Sequence, residues 1–362
     1  MIINIILKQK KEEINIKGKR YRKRKKINTK IIITLLAIAI LLICIVKNIS
    51  YKEKKKIETV EYKVDLQENV EEMNNEIIPT EDMETKELIQ NLQLENNLQE
   101  DNFSFFYYNI DLNKYYFYNE NTYFTAASTI KMPIAMLYYD KIKNEEISLD
   151  DTIIYTSNCY EAGAGTTAST YSIGSRIPIS FLLKQSIVNS DNTAINILIN
   201  NLGYKNCKTQ ISKYTSIELP EEFLSSNIIC AKYAYDIVNY LYNNREDYTE
   251  LLEYLKQSSN MEYLKKYITD YDVAHKYGSY NGYVHDYGIV FGENTYLIGI
   301  FTKNIANADE LIAQISLKIL NQIRIIFYKR KNKKDIIFNK FSIFIYYITI
   351  RLGGKKNVYF KK

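Results

Sequence analysis

The stretch that decides the fold is Phe124-Thr-Ala-Ala-Ser128-Thr-Ile-Lys131-Met-Pro-Ile-Ala-Met-Leu-Tyr138, where a serine precedes a lysine by three residues at the head of an apolar, helically spaced segment. Residues three apart lie on the same face of a helix. The Lys131 amine can therefore reach the Ser128 hydroxyl, and a neighbouring base is what activates a hydroxyl as a nucleophile. A serine that merely caps a helix produces the same pattern. Further motifs elsewhere in the chain must decide between an activated nucleophile and a helix cap.

The patterns on either side of this stretch predict a fold of the α+β class. Aromatic runs at 103–110 and 114–118 flank an Asx turn and predict a β-hairpin. Helical spacing begins near Lys86 and recurs in two helices over 181–202, then in 228–243, 248–267 and 307–323, while strands are predicted at 274–280, 287–291 and 296–302. The order strands, helices, strands, helix is typical of an antiparallel sheet beside an all-helical part.

Two further motifs follow the first in order. Ser190-Asp-Asn192 lies between the two predicted helices of 181–202, where Ser190 or the following aspartate can cap the second helix. Lys276-Tyr-Gly278 lies on a predicted strand. Each motif is common alone, whereas the ordered set in these structural contexts is not.

The ordered set Ser-x-x-Lys, Ser-Asp-Asn and Lys-x-Gly resembles the signature of the penicillin-recognising serine hydrolases, and specifically their class A β-lactamase-like branch. The resemblance covers residues 86–320. It implies a five-stranded antiparallel sheet flanked by helices, an all-helical subdomain, and an active site between the two. The implied chemistry is acyl transfer through a covalent serine ester, which needs no cofactor and no metal.

The resemblance and the residue chemistry imply the same catalytic roles. Ser128 is the expected nucleophile, and Lys131, if burial keeps its amine neutral, takes the serine proton. Ser190 is expected to pass that proton to the leaving nitrogen. Lys276 places a cation opposite a substrate carboxylate and favours the neutral form of a nearby amine.

The remaining implied residues bind the substrate. Asn192 offers its amide to a substrate amide, and Gly278 lets the substrate backbone approach the strand edge. The backbone N–H groups of Ser128 and Ser279 are implied to form the oxyanion hole. Tyr160 stands where the family often has an aromatic residue at the mouth of the pocket.

The sequence departs from the family pattern at two places. Tyr277 replaces Thr or Ser in the strand motif, and strand alternation predicts that its side chain points away from the site. The loop that carries a deacylating glutamate in class A enzymes is short, and only Glu221 resembles that residue. Glu221 is therefore a candidate deacylation base, with a solvated surface carboxylate as the alternative. His275 is expected to be packed or exposed and not catalytic, and the pair His285-Asp286 is expected to be structural.

Charge divides the chain into segments. Residues 1–30 carry a net charge of +10 and residues 321–362 a net charge of +11, although the whole chain is only +6, so the body is acidic. An acidic body argues against nucleic-acid binding. Residues 31–46 are apolar except for Thr34, and the basic flank predicts an uncleaved signal anchor at 31–47.

The predicted organisation follows from these segments. Residues 1–30 form a cytoplasmic segment, 31–47 a single membrane span, 48–85 a stalk, 86–323 an extracytoplasmic and monomeric hydrolase domain, and 324–362 a basic, aromatic tail. The tail could lie on a membrane, bind an anionic polymer or be disordered. No Cys/His spacing suits zinc, and one disulfide among Cys159, Cys207 and Cys230 stays open.

Three functions remain compatible with the sequence. The first is a membrane-anchored hydrolase that acylates Ser128 and hydrolyses the amide of β-lactams. The second is a D-Ala-D-Ala peptidase, that is, a penicillin-binding protein acting on peptidoglycan stem peptides. The third is a silent domain that binds cell-wall fragments, against which the complete set of Ser128, Lys131, Ser190 and Lys276 argues.

Overall fold

The computed structural model describes residues 78–258 and 261–328, all within one compact unit, Ile77–Lys362. The predicted segments 1–30 and 31–47, most of the stalk and most of the tail lie outside the described residues. The strands in chain order are β1 (Thr80–Glu81), β2 (Phe103–Asn109), β3 (Lys114–Tyr118), β4 (Phe124–Thr125), β5 (Thr152–Ile154), β6 (Arg176–Pro178), β7 (Ile228–Ile229), β8 (Asp272–Tyr280), β9 (Tyr283–Phe291) and β10 (Tyr296–Lys303).

Most of the described helices lie between β3 and β8, with one helix before β2 and one after β10. The helices are α1 (Met83–Asn96), α2 (Lys131–Lys143), α3 (Thr167–Thr170), α4 (Ile179–Val188), α5 (Asn192–Leu202), α6 (Tyr204–Ile211), α7 (Ala231–Asn243), α8 (Thr249–Lys256) and α9 (Ala308–Tyr328). Short 3-10 turns occupy Ala127–Ile130, Ser157–Cys159, Ser212–Tyr214, Glu221–Leu224 and Tyr263–Lys265. The α+β class is confirmed.

The main sheet has six strands in the order β1-β3-β2-β10-β9-β8, so the predicted count of five is wrong. The five longer strands pair antiparallel, as expected. The sixth, β1, is only two residues long and pairs parallel to β3, where Thr80 N donates to Asn113 O at 3.1 Å. A two-residue strand carries no alternation to detect. It also places the start of the fold before residue 86, inside the predicted stalk.

The two faces of this sheet bury different cores. Along β2, Phe103, Phe105 and Tyr107 pack on one face, while Phe106 packs on the other. The first face is covered by α1 and α9, and α9 contributes a buried stripe that includes Ile312, Ile315, Ile319 and Ile323. By length and composition α9 could cross a membrane. Its buried stripe accounts for that apolar character as the face of a core helix.

The second face of the sheet meets the helical part, whose centre is α2. Residues Met132–Tyr139 of this helix are all buried, as expected of a helix surrounded by other elements. Pro133 lies in its first turn, where the backbone N–H that proline lacks would have no intrahelical partner. The active-site motifs lie where this helical part meets β8.

Two predicted helix boundaries are wrong. Residues 228–229 form β7, which pairs with β4, and α7 begins only at Ala231. The segment 248–267 is not one helix, since α8 ends at Lys256 and a 3-10 turn occupies Tyr263–Lys265. The run Gln-Ser-Ser-Asn at 257–260 explains this break, because these residues favour caps and turns over helix interiors. Cys159, Cys207 and Cys230 are buried free thiols, so none of them pairs with another.

Candidate active site

Ser128 lies in the 3-10 turn Ala127–Ile130, which continues directly into α2. The residue before it, Ala127, has a φ of +49°, a left-handed conformation that is costly for a residue with a Cβ. Asn227 stabilises this turn through two hydrogen bonds. Its side-chain amide donates to Ala127 O at 3.1 Å, and its backbone carbonyl accepts from Ala126 N at 2.8 Å. Strain held in place by surrounding contacts is typical of functional sites.

Lys131, one turn further on, is 3% exposed and directs its amine at the Ser-Asp-Asn loop. Lys131 Nζ donates to Ser190 O at 2.6 Å and to Asn192 Oδ1 at 2.8 Å, and it lies 3.3 Å from Ser190 Oγ. Burial lowers the pKa of this amine to about 8, although the charges of Asp191 and Glu161 oppose the shift. Within residues 78–258 and 261–328, Lys131 forms no hydrogen bond with Ser128 Oγ.

The loop that receives this amine is itself fixed by Asp191. Its carboxylate accepts from Ala194 N at 2.8 Å and so caps α5, as the sequence predicted for this loop. The other oxygen accepts from Thr167 N and Thr167 Oγ1, both at 2.7 Å. Ser190 has a φ of +53° between these anchors. Asp191 therefore orients the Ser190 carbonyl and hydroxyl without itself facing the cavity.

Lys276 approaches the same serine from the sheet. Its amine donates to Ser190 Oγ at 3.2 Å and to Tyr277 O at 3.1 Å. The side chain is completely buried, and this burial, together with the charge of Lys131, holds the pKa of Lys276 well below its usual range, while Asp286 acts in the opposite direction. The Ser190 hydroxyl thus lies between two lysine amines whose charged forms are both disfavoured.

Gly278 and Ser279 complete the site along β8. A Cβ at Gly278 would lie 2.8 Å from Ser128 N and 2.9 Å from Thr129 N, so only glycine lets the strand pass this close to the turn of Ser128. This close approach is to the protein's own backbone, whereas the sequence predicted an approach of substrate. Ser279 lines the cavity together with Ser128.

Tyr277 only partly follows the prediction that it points away. Its ring packs against the core on the far face of the sheet and stacks on Tyr263 at 5.3 Å between centroids. The same ring lies 4.1 Å from Lys276 Nζ. A tyrosine at this position therefore contributes a cation–π contact to the lysine amine that a threonine could not.

A cavity of about 400 Å³ opens over the turn of Ser128. Four predicted site residues line it, namely Ser128, Lys131, Asn192 and Ser279. Ser190 and Lys276 are buried and join the site through their hydrogen bonds. The structure therefore brings the three motifs to one place, beneath one cavity.

Glu221 and Tyr160 do not line this cavity. Glu221 is exposed on its 3-10 turn and borders a separate cavity of about 240 Å³ with Phe223 and Leu224, so its assignment as a deacylation base at Ser128 is not supported. The turn begins directly after Pro220 and buries Phe223 instead of the glutamate. Tyr160 is 57% exposed and lies outside the lining.

The family whose model matches this chain is described as the beta-lactamase enzyme family, and the match spans residues 84–323. The chain belongs to the beta-lactamase enzyme family. That span contains all three motifs and every described strand except β1. Members of the family are serine enzymes of the β-lactamase type, which agrees with the cluster of hydroxyl and amine groups beneath the cavity.

Solved structures with the same fold share about a fifth of their residues with this beta-lactamase-family chain. PBP-A has 21% identity, a TM-score of 0.60, and coverage of 68% of this chain and 98% of its own. A mutant of PBP-A, solved as an acyl-enzyme complex with penicillin G, has 21% identity, a TM-score of 0.60 and coverage of 67% and 97%. A β-lactamase from Sphaerobacter thermophilus has 23% identity, a TM-score of 0.54 and coverage of 62% and 92%. No curated protein sequence matches the chain significantly.

Sequence reasoning missed several polar residues that line the cavity, among them Glu161, Asn196 and Lys208. Glu161 follows Tyr160 directly, so the pocket-mouth position was recognised one residue away from the side chain that reaches it. Asn196 lies one helical turn after Asn192, a spacing that predicts a shared face. Lys208 carries no sequence signal, because nothing in its surroundings distinguishes it from a surface lysine.

Both histidines are buried in the sheet. His275 precedes Lys276 on β8, and its Nδ1 lies 2.7 Å from Oδ2 of Asp286 on β9. His285 Nε2 donates to Thr125 O at 2.9 Å, and burial lowers the pKa of this histidine to about 4. Neither histidine lines the cavity of Ser128. Their contacts are those expected of structural residues.

Proposed function

We propose that this protein is a serine hydrolase that is acylated at Ser128 and opens the amide of β-lactams. The observation that carries the proposal is the position of the Ser190 hydroxyl, 3.3 Å from Lys131 Nζ and 3.2 Å from Lys276 Nζ, beneath the cavity that Ser128 lines. Two buried amines around one hydroxyl form a path for a proton. A silent binding domain has no physical need for such a costly arrangement.

In the proposed reaction Ser128 Oγ attacks the amide carbonyl carbon while Lys131 accepts the hydroxyl proton. With a pKa of about 8 for this amine, roughly a tenth of the molecules hold Lys131 neutral at pH 7. The C–N bond then breaks, and Ser190 gives its hydroxyl proton to the leaving nitrogen. Ser190 takes in return the proton that Lys131 accepted from Ser128. The product is an ester at Ser128. Hydrolysis of that ester by water returns the free hydroxyl.

The substrate-binding part of the proposal uses the same cavity. Lys276 is the proposed partner of a substrate carboxylate, because a nearby anion would favour the charged form of this amine, which burial otherwise disfavours. Backbone N–H groups of Ser128 and Ser279 are the proposed oxyanion donors, and losing one such donor typically costs about 10²–10³ in turnover. Asn192 is proposed to bind the amide of the substrate acyl group.

A second function, that of a D-Ala-D-Ala peptidase, is favoured by the position of Glu221. Its carboxylate borders a cavity other than that of Ser128, so it is not available to activate water on a penicilloyl ester. An acyl-enzyme formed from a β-lactam would then persist. The acyl-enzyme of a PBP-A mutant with penicillin G illustrates such an adduct on a similar fold.

The proposed location is the outer face of a cell membrane, with the hydrolase domain anchored by residues 31–47. It rests on the sequence alone, namely the apolar stretch and its basic flank. The domain is proposed to act as a monomer on β-lactams or on stem peptides of the cell wall. Release of the full chain from membranes by detergent but not by high salt would support the anchor, and release by salt alone would overturn it.

The test of the proposed chemistry is a mass measurement on the full chain in detergent. The chain is incubated with benzylpenicillin, and the adduct is followed over time. We expect one penicilloyl group, absent in Ser128→Ala. Transient labelling with loss of free penicillin indicates a β-lactamase, and stable labelling indicates a penicillin-binding peptidase. The absence of any adduct at all times overturns both proposed functions.

A further inference from the structure

Glu161 is the only carboxylate among the described residues that line the cavity of Ser128. The other charged side chains of that lining are Lys131 and Lys208, both cations in their protonated forms. The nearby Asp191 is excluded as a second acidic group, because it is buried and both of its oxygens accept hydrogen bonds. Any negative charge that the cavity presents to a substrate therefore comes from Glu161.

The position of Glu161 is held by two residues of α5. Thr193 Oγ1 accepts from Glu161 N at 3.2 Å and donates to Glu161 O at 3.1 Å. Asn196 Nδ2, three residues further along the same helix, donates to Glu161 Oε2 at 2.8 Å. The other oxygen, Oε1, accepts no hydrogen bond from the described residues. One oxygen thus anchors the side chain and the other is available to a ligand.

Glu161 and the proposed site of the substrate carboxylate lie on different elements around the cavity. Ser279 lines the cavity from β8, the strand that also carries Lys276, the proposed partner of a substrate carboxylate. Asn192 and Asn196 lie on the first turns of α5, and Glu161 is bound to that helix. A substrate whose carboxylate faces β8 and whose carbonyl faces Ser128 therefore directs the rest of its acyl group towards α5 and Glu161.

We propose that Glu161 makes this enzyme prefer substrates whose acyl side chain carries an ammonium group, over neutral or anionic analogues. This inference rests on the proposed acylation of Ser128 and names the class of substrate for that site. The carboxylate attracts an ammonium next to the reacting amide and repels a carboxylate placed there. Because Glu161 is exposed, each step in charge changes the rate by about two- to fivefold.

Three penicillins with one nucleus provide the test. Ampicillin carries an ammonium on the α-carbon of its acyl side chain, benzylpenicillin a hydrogen, and carbenicillin a carboxylate. The second-order rate of adduct formation at Ser128 is measured for each by mass, with the full chain in detergent at low salt. We expect the rate of adduct formation to fall in the order ampicillin, benzylpenicillin, carbenicillin. The differences between the three rates should narrow as salt is added.

The variant Glu161→Gln should bring the three rates together, whereas Glu161→Asp should keep the order. Glu222→Gln is the matched control, because Glu222 is exposed and lies outside the cavity lining, and it should retain the full spread. Ratios between penicillins are compared within each variant. A general change in reactivity, such as one transmitted through Lys131, therefore cancels.

The outcomes separate the two proposals. No adduct with any of the three penicillins overturns the proposed acylation itself. Adducts that form at equal rates in the parent chain overturn only the role of Glu161, as does a preference that survives in Glu161→Gln. Loss of the preference in Glu222→Gln as well as in Glu161→Gln also overturns it, because the effect would then follow overall charge.

Discussion

Two buried lysines line the same cavity and differ in one respect that decides their use. Lys131 and Lys208 are 3% and 2% exposed, and burial lowers the pKa of each to about 8. Lys131 Nζ has three oxygen partners in the Ser-Asp-Asn loop. Lys208 Nζ has no hydrogen-bond partner among the described residues and lies 3.7 Å above the Phe223 ring. A lowered pKa therefore identifies a desolvated amine, and only its partners identify a base.

The largest difference should appear in acylation. Lys131→Ala removes the proposed base and should slow the labelling of Ser128 by about 10²–10⁴-fold. Lys208→Met should label close to the parent rate, because the Lys208 amine contacts a ring and no catalytic group. Both rates come from the mass-resolved penicillin adduct. If the two variants lost activity equally, burial alone, and not the set of partners, would be what matters.

A smaller loss is expected when the hydroxyl between the two amines is removed. Ser190→Ala leaves the Ser190 carbonyl and the Asn192 side chain as partners of Lys131 and deletes only the Oγ that Lys131 and Lys276 share. Labelling of Ser128 should fall by about 10²-fold. Ser186→Ala is the control, because that buried hydroxyl donates only to Leu183 O. A parent-like rate in Ser190→Ala would exclude Ser190 from proton transfer.

The comparison also predicts effects of different size on stability. Lys208→Met replaces an unpaired buried cation with an apolar side chain of similar length, and it should raise the free energy of unfolding at pH 7 by about 1–2 kcal/mol after the lost contact with Phe223 is counted. Lys131→Met also loses three hydrogen bonds, so its free energy of unfolding should rise by less than that of Lys208→Met. Denaturant unfolding of both variants measures the difference.

The sign of the pH dependence follows from the lowered pKa. Lys208 titrates near 8 when folded and near 10.5 when unfolded, so the unfolded chain binds the extra proton between these values. The parent protein should therefore gain stability as pH rises from 8 to 10.5, and Lys208→Met should lose its share of that gain. An unchanged slope in Lys208→Met would show that Lys208 is not desolvated.

The smallest expected effect concerns the pH profile of acylation. Labelling needs neutral Lys131, so the rate should rise with pH through about 8 and then level off. The charge of Glu161 raises the pKa of Lys131, so Glu161→Gln should shift the rise to lower pH. Glu222→Gln should not shift it. A shift to higher pH in Glu161→Gln would contradict the electrostatic coupling of these two residues.

Much of the site could be predicted because its parts are local. The spacing of Ser128 and Lys131 places both on one helical turn, and Asp191 caps α5 as loop chemistry requires. The hairpin of β2 and β3 follows from aromatic runs around an Asx turn. The strand Ile228–Ile229 was missed because its pairing partner, β4, lies about a hundred residues earlier in the chain, whereas the break after Lys256 has a local cause in the run at 257–260.

The sequence by itself determined the three motifs, their order and the α+β class, because spacing along one helix or strand decides which side chains share a face. Only the tertiary structure decided which carboxylate reaches the cavity. Glu221 resembles the glutamate of the family pattern but borders another cavity, while Glu161 is held in the lining by Thr193 and Asn196. The tertiary structure also decided that Lys208 is buried. Both outcomes depend on contacts between segments far apart in the chain, and spacing along the sequence does not record them.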